Sequence, residues 1–230
     1  MKADPQNFVA AATGLVFEAR IAEQSPQVRA CAGGGDAVRL QQLLARETSR
    51  SGALGIVSFG LAGALDPSLT AGELVVATEV VMAKARVRTH LAWTQHIADR
   101  CGAVARAAVL GSDTAVTASA RKAQLFSQTG CALVDMESHV AGRVALDHDL
   151  PFVIVRAVVD PAELGVPAAA LAGMKRDGTT DVSAVLAALA HEPRQIVDLL
   201  RLALAARKAR ARLLSCVRCL GPGFGLIDLG

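Results

Sequence analysis

Aromatic side chains are scarce in this sequence, whose 230 residues include six Phe, one Trp and no Tyr. Ala, Val and Leu make up most of an apolar fraction of 52%, which excludes a disordered chain. Small aliphatic side chains suit helices that pack closely on a parallel sheet. The chain is long enough for one domain with a substantial core.

A large net charge is also missing. The formal net charge is only +3, which is too small for a protein that binds nucleic acid mainly by releasing counterions from phosphates. The basic residues are nevertheless concentrated in one late segment, at Arg201, Arg207, Lys208, Arg210, Arg212 and Arg218. The sequence therefore predicts no nucleic-acid partner and leaves the use of one basic helix open.

The sequence shows neither a secretory signal nor an uncharged apolar run of membrane-spanning length. Its five cysteines are an odd number, which fits the reduced thiols of the cytoplasm. Cys216 and Cys219 form a single C-x-x-C pair, whereas a structural zinc ion needs four ligands. We therefore expect a cytoplasmic protein without a metal or an organic cofactor.

Strand-like apolar runs alternate with segments of helical period. Strands are expected at 7–13, 27–31, 53–59, 73–80, 103–110, 132–135 and 152–159, and helices at 16–24, 37–49, 119–128 and 138–149. This rhythm predicts an α/β fold, a three-layer sandwich around a mainly parallel mixed sheet with C-terminal helices. Further helices are expected at 166–174, 182–190 and 193–214. We expect one domain over residues 1–215 and a flexible tail over 216–230.

Gly33, Gly34 and Gly35 lie between a predicted strand and a predicted helix. Glycine lets the backbone approach a ligand, and the first N–H groups of a helix attract anions. The same residues also fit a plain tight turn, and Asp36 could cap the helix with the amides that a phosphate would use. A phosphate site and a simple turn both stay open at this point.

Ser58 and Gly60 lie at the end of the third apolar run. Ligands of open parallel sheets bind beyond the carboxyl ends of the strands, where small residues leave room. The alternative is a glycine-rich turn that is kept small for packing.

Two carboxylates follow neighbouring strands: Glu137 comes just after the strand at 132–135, and Asp160 comes directly after the strand at 152–159. Side chains in these positions would face one crevice. One carboxylate could then bind sugar hydroxyls while the other protonates a leaving group. The structural alternatives are a helix N-terminal charge for Glu137 and a turn residue for Asp160.

The run Leu133-Val-Asp-Met-Glu-Ser-His, with Asp160 placed 23 positions after Glu137, resembles the nucleoside phosphorylase and methylthioadenosine/adenosylhomocysteine nucleosidase superfamily. Phe59-Gly-Leu-Ala-Gly-Ala-Leu-Asp-Pro and Gly72-Glu-Leu-Val-Val-Ala match in the same order. The resemblance covers about residues 7–160. It implies the fold of that superfamily, a homo-oligomer, and cleavage of the bond between a purine and a ribose.

The resemblance also implies roles for individual residues. Glu137 would bind the ribose hydroxyls, Met136 would pack against the sugar, and Asp160 would protonate N7 of the purine. Glu18 resembles the N-terminal acidic catalytic residue of the nucleosidases, and Gly33–Gly35 would lie near the attacking phosphate or water. The other substrate-binding residues that it implies are Ser58, Gly60, Ala115, Val116 and Arg156.

Three positions depart from the nucleosidase pattern. Val159 and Leu61 stand where nucleosidases often carry serines, and no stacking aromatic residue is present at 114–116. Leu61 removes a hydroxyl from the site of the attacking group, so we expect inorganic phosphate rather than water as the co-substrate. A hydrolytic nucleosidase and a non-catalytic nucleoside- or lipid-binding protein are the alternatives.

Cys31-Ala-Gly-Gly-Gly, Asp160-Pro-Ala-Glu and Leu199-Leu-Arg-Leu-Ala also resemble the hopanoid-associated phosphorylases. That resemblance implies adenosine joined through its 5′ carbon to a pentacyclic triterpene, with adenine as the leaving group. A basic amphipathic helix over 196–214 would suit a peripheral contact with an anionic membrane. A terminal helix packed on the domain, with a solvated basic face, fits the same pattern.

Overall fold

The computed structural model describes residues 7–82, 85–173, 178–179 and 181–226, with the side chains of 104–107 left outside the description. Its strands are β1 (Phe8–Thr13), β2 (Val28–Ala32), β3 (Ala53–Ala64), β4 (Leu74–Met82), β5 (Ala85–Arg88), β6 (Val104–Gly111), β7 (Leu133–Asp135) and β8 (Phe152–Asp160). Its α-helices are α1 (Val16–Ala22), α2 (Ala37–Thr48), α3 (Leu91–Cys101), α4 (Ser119–Thr129), α5 (Ser138–Asp147), α6 (Ala168–Ala172), α7 (Val182–His191) and α8 (Ile196–Leu220).

The strands form one mixed sheet in the order β2-β1-β3-β7-β6-β4-β5, and β8 pairs with both β3 and β4. Parallel pairs join β1 to β2 and β3, β3 to β8, and β6 to β4 and β7. Antiparallel pairs join β3 to β7 and β4 to β5 and β8. The predicted mainly parallel α/β architecture is confirmed.

Helices cover both faces of the sheet, because alternate residues of a strand point to opposite sides. On β1, Ala10 belongs to a core that includes Leu44 of α2 and Val144 of α5. Its neighbour Val9 belongs to a second core that includes Ile97 of α3 and parts of α1 and α8. The two cores produce the three predicted layers.

The strand expected at 53–59 is longer in the structure, where β3 continues to Ala64. Gly60 permits this continuation, since its φ of 157° is open to glycine and its missing Cβ would lie 2.7 Å from the Glu18 carboxyl. The sequence analysis also missed β5 and α3. The latter begins after His90, whose Nδ1 accepts a hydrogen bond from the Trp93 amide, and ends at Gly102 with a φ of 57°.

The expected tail is largely part of the folded chain. The boundary predicted between residues 215 and 216 falls inside α8, which continues to Leu220. Cys216, Val217, Leu220 and Phe224 are buried in the core beside α3, so the segment up to Leu226 packs instead of fraying. Residues 227–230 of the expected tail, and Met174 of the helix expected at 166–174, lie outside the described residues. Within the described part of the chain, no helix is long and apolar enough to cross a membrane.

Candidate active site

A cavity of about 290 Å³ opens where β1, β3, β7 and β8 end. Its lining includes Gly14, Leu15, Glu18, Gly35, Leu61, Ala62, Gly63, Thr114, Ala115, Val116, Thr117, Val134, Asp135, Met136, Glu137, Val159, Asp160, Val166, Ala170, Leu171, Leu202 and Ala206. The fold therefore brings Glu18, Met136, Glu137 and Asp160 together around one cavity. Glu137 and Asp160 face the same crevice at the ends of their strands, as the sequence predicted.

Arg156 of β8 lies behind this cavity and is completely buried. Its Nε is 2.7 Å from Oδ2 of Asp135, and its Nη1 is 3.2 Å from Oε2 of Glu137. Burial pulls the pKa of Arg156 down, but the facing carboxylates Asp135, Glu137 and Glu18 hold it above its ordinary value. Arg156 therefore serves as the internal counter-ion of an acidic site. Arg156 is not among the residues that line this cavity, and its contact with a substrate stays a prediction.

Glu137 lies directly before α5 and reaches the cavity with 7% of its surface exposed. Burial raises its pKa to about 8; Arg156 lowers the pKa, while Asp135 and Glu18 raise it further. Gly14 makes space for this carboxyl, because a Cβ on Gly14 would lie 2.6 Å from Oε1 of Glu137. The buried carboxyl of Glu137 therefore holds its proton more tightly than an exposed glutamate does.

Glu18 projects from the first turn of α1 and is 2% exposed. Its Oε2 accepts hydrogen bonds from the amides of Gly14 (2.9 Å) and Leu15 (2.8 Å). Its Oε1 accepts from the amide of Leu61 at 2.8 Å. Burial raises the pKa of Glu18, and Arg156 together with these amides opposes the rise. The carboxyl is thereby fixed in one orientation beside Glu137.

Asp160 closes another side of the cavity at the end of β8. Its Oδ2 lies 2.6 Å from Nζ of Lys122, a completely buried residue of α4. Burial raises the pKa of Asp160, while the Lys122 ammonium lowers it. Sequence reasoning missed Lys122. The signal was a lysine three residues before Leu125, on the face of α4 that the fold buries.

The predicted phosphate site lies in the glycine turn after β2. The amides of Gly33 and Gly34 donate to the carbonyls of Thr13 and Gly14, both at 2.8 Å. Only Gly35 of the three glycines lines the cavity. The N–H groups of Gly33 and Gly34 are used to hold the turn, and the phosphate contact of these two glycines stays a prediction.

Ser58 and Gly60 also lie behind the lining of the cavity, and their contacts with a substrate stay predictions. Ser58 Oγ accepts from Nη2 of Arg156 at 2.5 Å and from Oγ of Ser138 at 3.0 Å, so it supports the buried counter-ion. Gly60 leaves room for Glu18. The predicted residues Ala115 and Val116 do line the cavity.

The charge of the cavity is one-sided. Among the described lining residues, Glu18, Asp135, Glu137 and Asp160 are acidic, and none is Lys, Arg or aromatic. Burial raises the pKa values of Glu18, Glu137 and Asp160, and carboxyls with raised pKa values can serve as general acids. The arrangement therefore suits acid–base chemistry on a neutral or cationic reacting centre.

A family model described as the phosphorylase superfamily matches residues 33–198. No curated protein sequence matches the chain. The 5′-methylthioadenosine/S-adenosylhomocysteine nucleosidase of Helicobacter pylori, solved with butyl-thio-DADMe-Immucillin-A, has 14% identity over 92% of this chain and 98% of its own, with a TM-score of 0.65.

Futalosine hydrolase of Helicobacter pylori strain 26695 has 14% identity over 92% of this chain and 97% of its own, with a TM-score of 0.65. The Neisseria meningitidis 5′-methylthioadenosine/S-adenosylhomocysteine nucleosidase with methylthio-immucillin-A has 16% identity over 91% and 98%, with a TM-score of 0.63. At these identities the likeness is one of fold. The family model covers most of the strands that build the cavity, and the chain belongs to the phosphorylase superfamily.

Proposed function

We propose that this chain cleaves the N-glycosidic bond of a 5′-substituted adenine nucleoside and releases adenine. The observation that carries the proposal is the placement of Asp160 and of Glu137 with Glu18 around one cavity. The similar solved structures contain nucleoside analogues, which supports a nucleoside of this kind as the substrate. A non-catalytic nucleoside-binding protein would not need a buried general acid.

In the proposed reaction, protonated Asp160 donates its proton to N7 of the purine while the C1′–N9 bond breaks. Glu137 binds the ribose hydroxyls. Positive charge grows on the sugar in the transition state and favours the ionised forms of Glu137 and Glu18, so these carboxylates stabilise the transition state more than the ground state.

Water is the attacking group that the geometry favours, which reverses our expectation of phosphate from Leu61. A phosphate anion would meet acidic groups and no Lys or Arg among the described residues that line the cavity. Glu18 can accept a proton from water as the new O–C1′ bond forms. Leu61 contributes through its amide, which holds Oε1 of Glu18.

The deciding experiment measures adenine release from methylthioadenosine in phosphate-free buffer and in phosphate, and identifies the sugar product. We expect equal rates and free pentose. A requirement for phosphate with a sugar 1-phosphate as product would establish phosphorolysis instead. The Asp160→Asn variant should lose about 10²–10⁴-fold in rate, whereas exposed Asp99→Asn should keep full activity. An undiminished Asp160→Asn variant would remove the proposed role of Asp160.

The apolar part of the cavity supports a finer proposal, a large apolar 5′ substituent such as the triterpene of adenosylhopane in hopanoid biosynthesis. Leu15, Leu171 and Leu202 line it together with small alanines. Burial of such a substituent stabilises binding by roughly 25 cal/mol per Å² removed from water. Competition between a 5′-alkyl adenosine and methylthioadenosine tests this, and an equal or higher kcat/KM for methylthioadenosine contradicts it.

A homo-oligomer and a peripheral membrane contact belong to the same proposal. Exposed apolar side chains on α7 and the first half of α8 support a surface of this kind: Val182, Leu186, Ile196, Val197, Leu200 and Leu204. Light scattering in the absence and presence of anionic vesicles distinguishes association of the chain with itself from binding to a membrane.

A further inference from the structure

Lys122 is a second buried cation, apart from the Arg156 cluster. Its side chain has no exposed surface, and four oxygen atoms surround its ammonium. They are Oδ2 of Asp160 at 2.6 Å and the carbonyl oxygens of Asp160 (3.3 Å), Pro161 (2.9 Å) and Leu164 (2.8 Å). An ammonium has three N–H donors, so this set of oxygens uses all of its hydrogen-bonding capacity.

A buried ammonium is costly unless a carboxylate and further acceptors replace its lost hydration. A purely structural position on α4 would be filled at lower cost by an apolar residue such as Leu125, which lies one turn further along the same buried face. The three carbonyl oxygens alone can bind an ammonium without any contact to the carboxyl of Asp160. Packing alone therefore does not explain the 2.6 Å contact between Nζ of Lys122 and the carboxyl of Asp160.

We propose that Lys122 is a positioning residue that holds the carboxyl of Asp160 in place and sets the pH range over which Asp160 can give its proton to the purine. The proposal rests on the proposed function, since it assigns Asp160 the role of acid. Lys122 acts through Asp160 and is not itself assigned a contact with the substrate.

The electrostatic part of the proposal follows from two opposing effects on one carboxyl. Burial raises the pKa of Asp160, and the Lys122 ammonium lowers it. Other charged groups face the same region at greater remove: Glu18 and Glu137 line the same cavity, and Asp198 and Arg201 line an adjoining pocket. Because Lys122 makes the direct contact, removal of its charge should raise the pKa of Asp160.

The geometric part follows from the carbonyl contacts. Pro161 and Leu164 belong to the turn that leaves β8, and they line the adjoining pocket of about 310 Å³ beside Asp160. Lys122 ties both carbonyl groups to the carboxyl, so one side chain fixes the acid and the wall next to it. Loss of this anchor should lower kcat more than it changes KM, because misplacement of a reacting group costs rate.

The test compares two neutral variants with a charge control. Lys122→Met removes the charge and all donors, whereas Lys122→Gln removes the charge and keeps donors for the carbonyl groups. Arg121→Met removes one positive charge from the exposed neighbouring position. Circular dichroism shows whether each variant is folded, and Lys122→Gln carries the test if Lys122→Met does not fold.

Two readouts are measured for each protein. The first is the titration of the Asp160 carboxyl by ¹³C NMR, assigned by its loss in Asp160→Asn. The second is kcat and KM for adenine release across pH. In both neutral variants we expect the titration midpoint of the Asp160 carboxyl to rise by at least about one pH unit. The part of the pH–rate profile that depends on Asp160 should shift by the same amount, and kcat should fall roughly 10- to 100-fold. Arg121→Met should leave all of these values unchanged.

An unmoved Asp160 midpoint in folded Lys122→Gln or Lys122→Met overturns the proposal, even if kcat falls. A midpoint that moves equally in Arg121→Met also overturns it, because the effect would then be one of overall charge. An inactive wild-type chain would refute the proposed function instead, and the NMR midpoint would still show whether Lys122 controls Asp160.

Discussion

Nη1 of Arg156 lies 3.2 Å from Oε2 of Glu137, and both side chains are buried. The same guanidinium also faces Asp135, and its charge acts on Glu18. Three buried carboxyls therefore share one cation. Burial raises the pKa of Glu137, and Asp135 and Glu18 raise it further, so this pKa stays high despite the neighbouring arginine.

We first predict that Arg156→Met destabilises the fold by roughly 3–5 kcal/mol, because it leaves buried carboxylates without a counter-ion. The free energy of unfolding in urea checks this. The matched control is Arg86→Met, which breaks an exposed 2.7 Å ion pair with Glu79 and should cost only about 0–1 kcal/mol. Equal losses in the two variants would show that the buried cluster contributes nothing particular to stability.

The second prediction concerns the space that Gly14 leaves for Glu137. Gly14→Ala places a Cβ 2.6 Å from Oε1 of Glu137, so the carboxyl must leave its present position. We expect kcat/KM to fall roughly 10- to 100-fold with the chain still folded. The double variant with Glu137→Gln should be no worse than Glu137→Gln alone. Additive losses would mean that Gly14 acts independently of Glu137.

The third prediction is a pH dependence of stability. The folded pKa of Glu137 is about 8 against an ordinary value of 4.5, so folding favours its protonated form. Its contribution to stability is present below about pH 4.5 and is lost as the pH rises towards 8. The free energy of unfolding of wild type, relative to Glu137→Gln, should therefore fall across this window, by at most about 1.4 kcal/mol per pH unit. A constant difference between the two proteins would contradict the raised pKa.

The fourth prediction addresses the exposed apolar surface of α8. Leu200 and Leu204 are each 61% exposed, so lysine at either position should leave the fold intact. If this surface meets a membrane, Leu200→Lys/Leu204→Lys should lower retention by neutral vesicles, whereas Leu91→Lys, at an 80% exposed position on α3, should not. A change of oligomeric state without any change in vesicle binding would assign the surface to a second copy of the chain.

The sequence by itself determined the layers of the fold and the positions of two carboxylates of the site, Glu137 and Asp160. Apolar runs such as 152–159 predict buried strands because a strand covered on both faces needs apolar side chains in sequence. Glu137 and Asp160 were recognisable because their spacing and strand-end positions are local properties of the chain. Glu18 was found through resemblance, and its precise position followed from no local pattern.

Only the tertiary structure decided what these groups contact. Lys122 reads locally as one polar residue of a helix, yet it meets Asp160 across 38 positions of sequence. Arg156 was a candidate for binding substrate, and only the fold shows that the carboxyls of Asp135 and Glu137 and the hydroxyls of Ser58 and Ser138 surround it. The amides of Gly33 and Gly34 looked free until the end of β1 accepted both hydrogen bonds. Such contacts depend on strand order and on the packing of distant elements, and it is burial there that sets the charge and the pKa of each group.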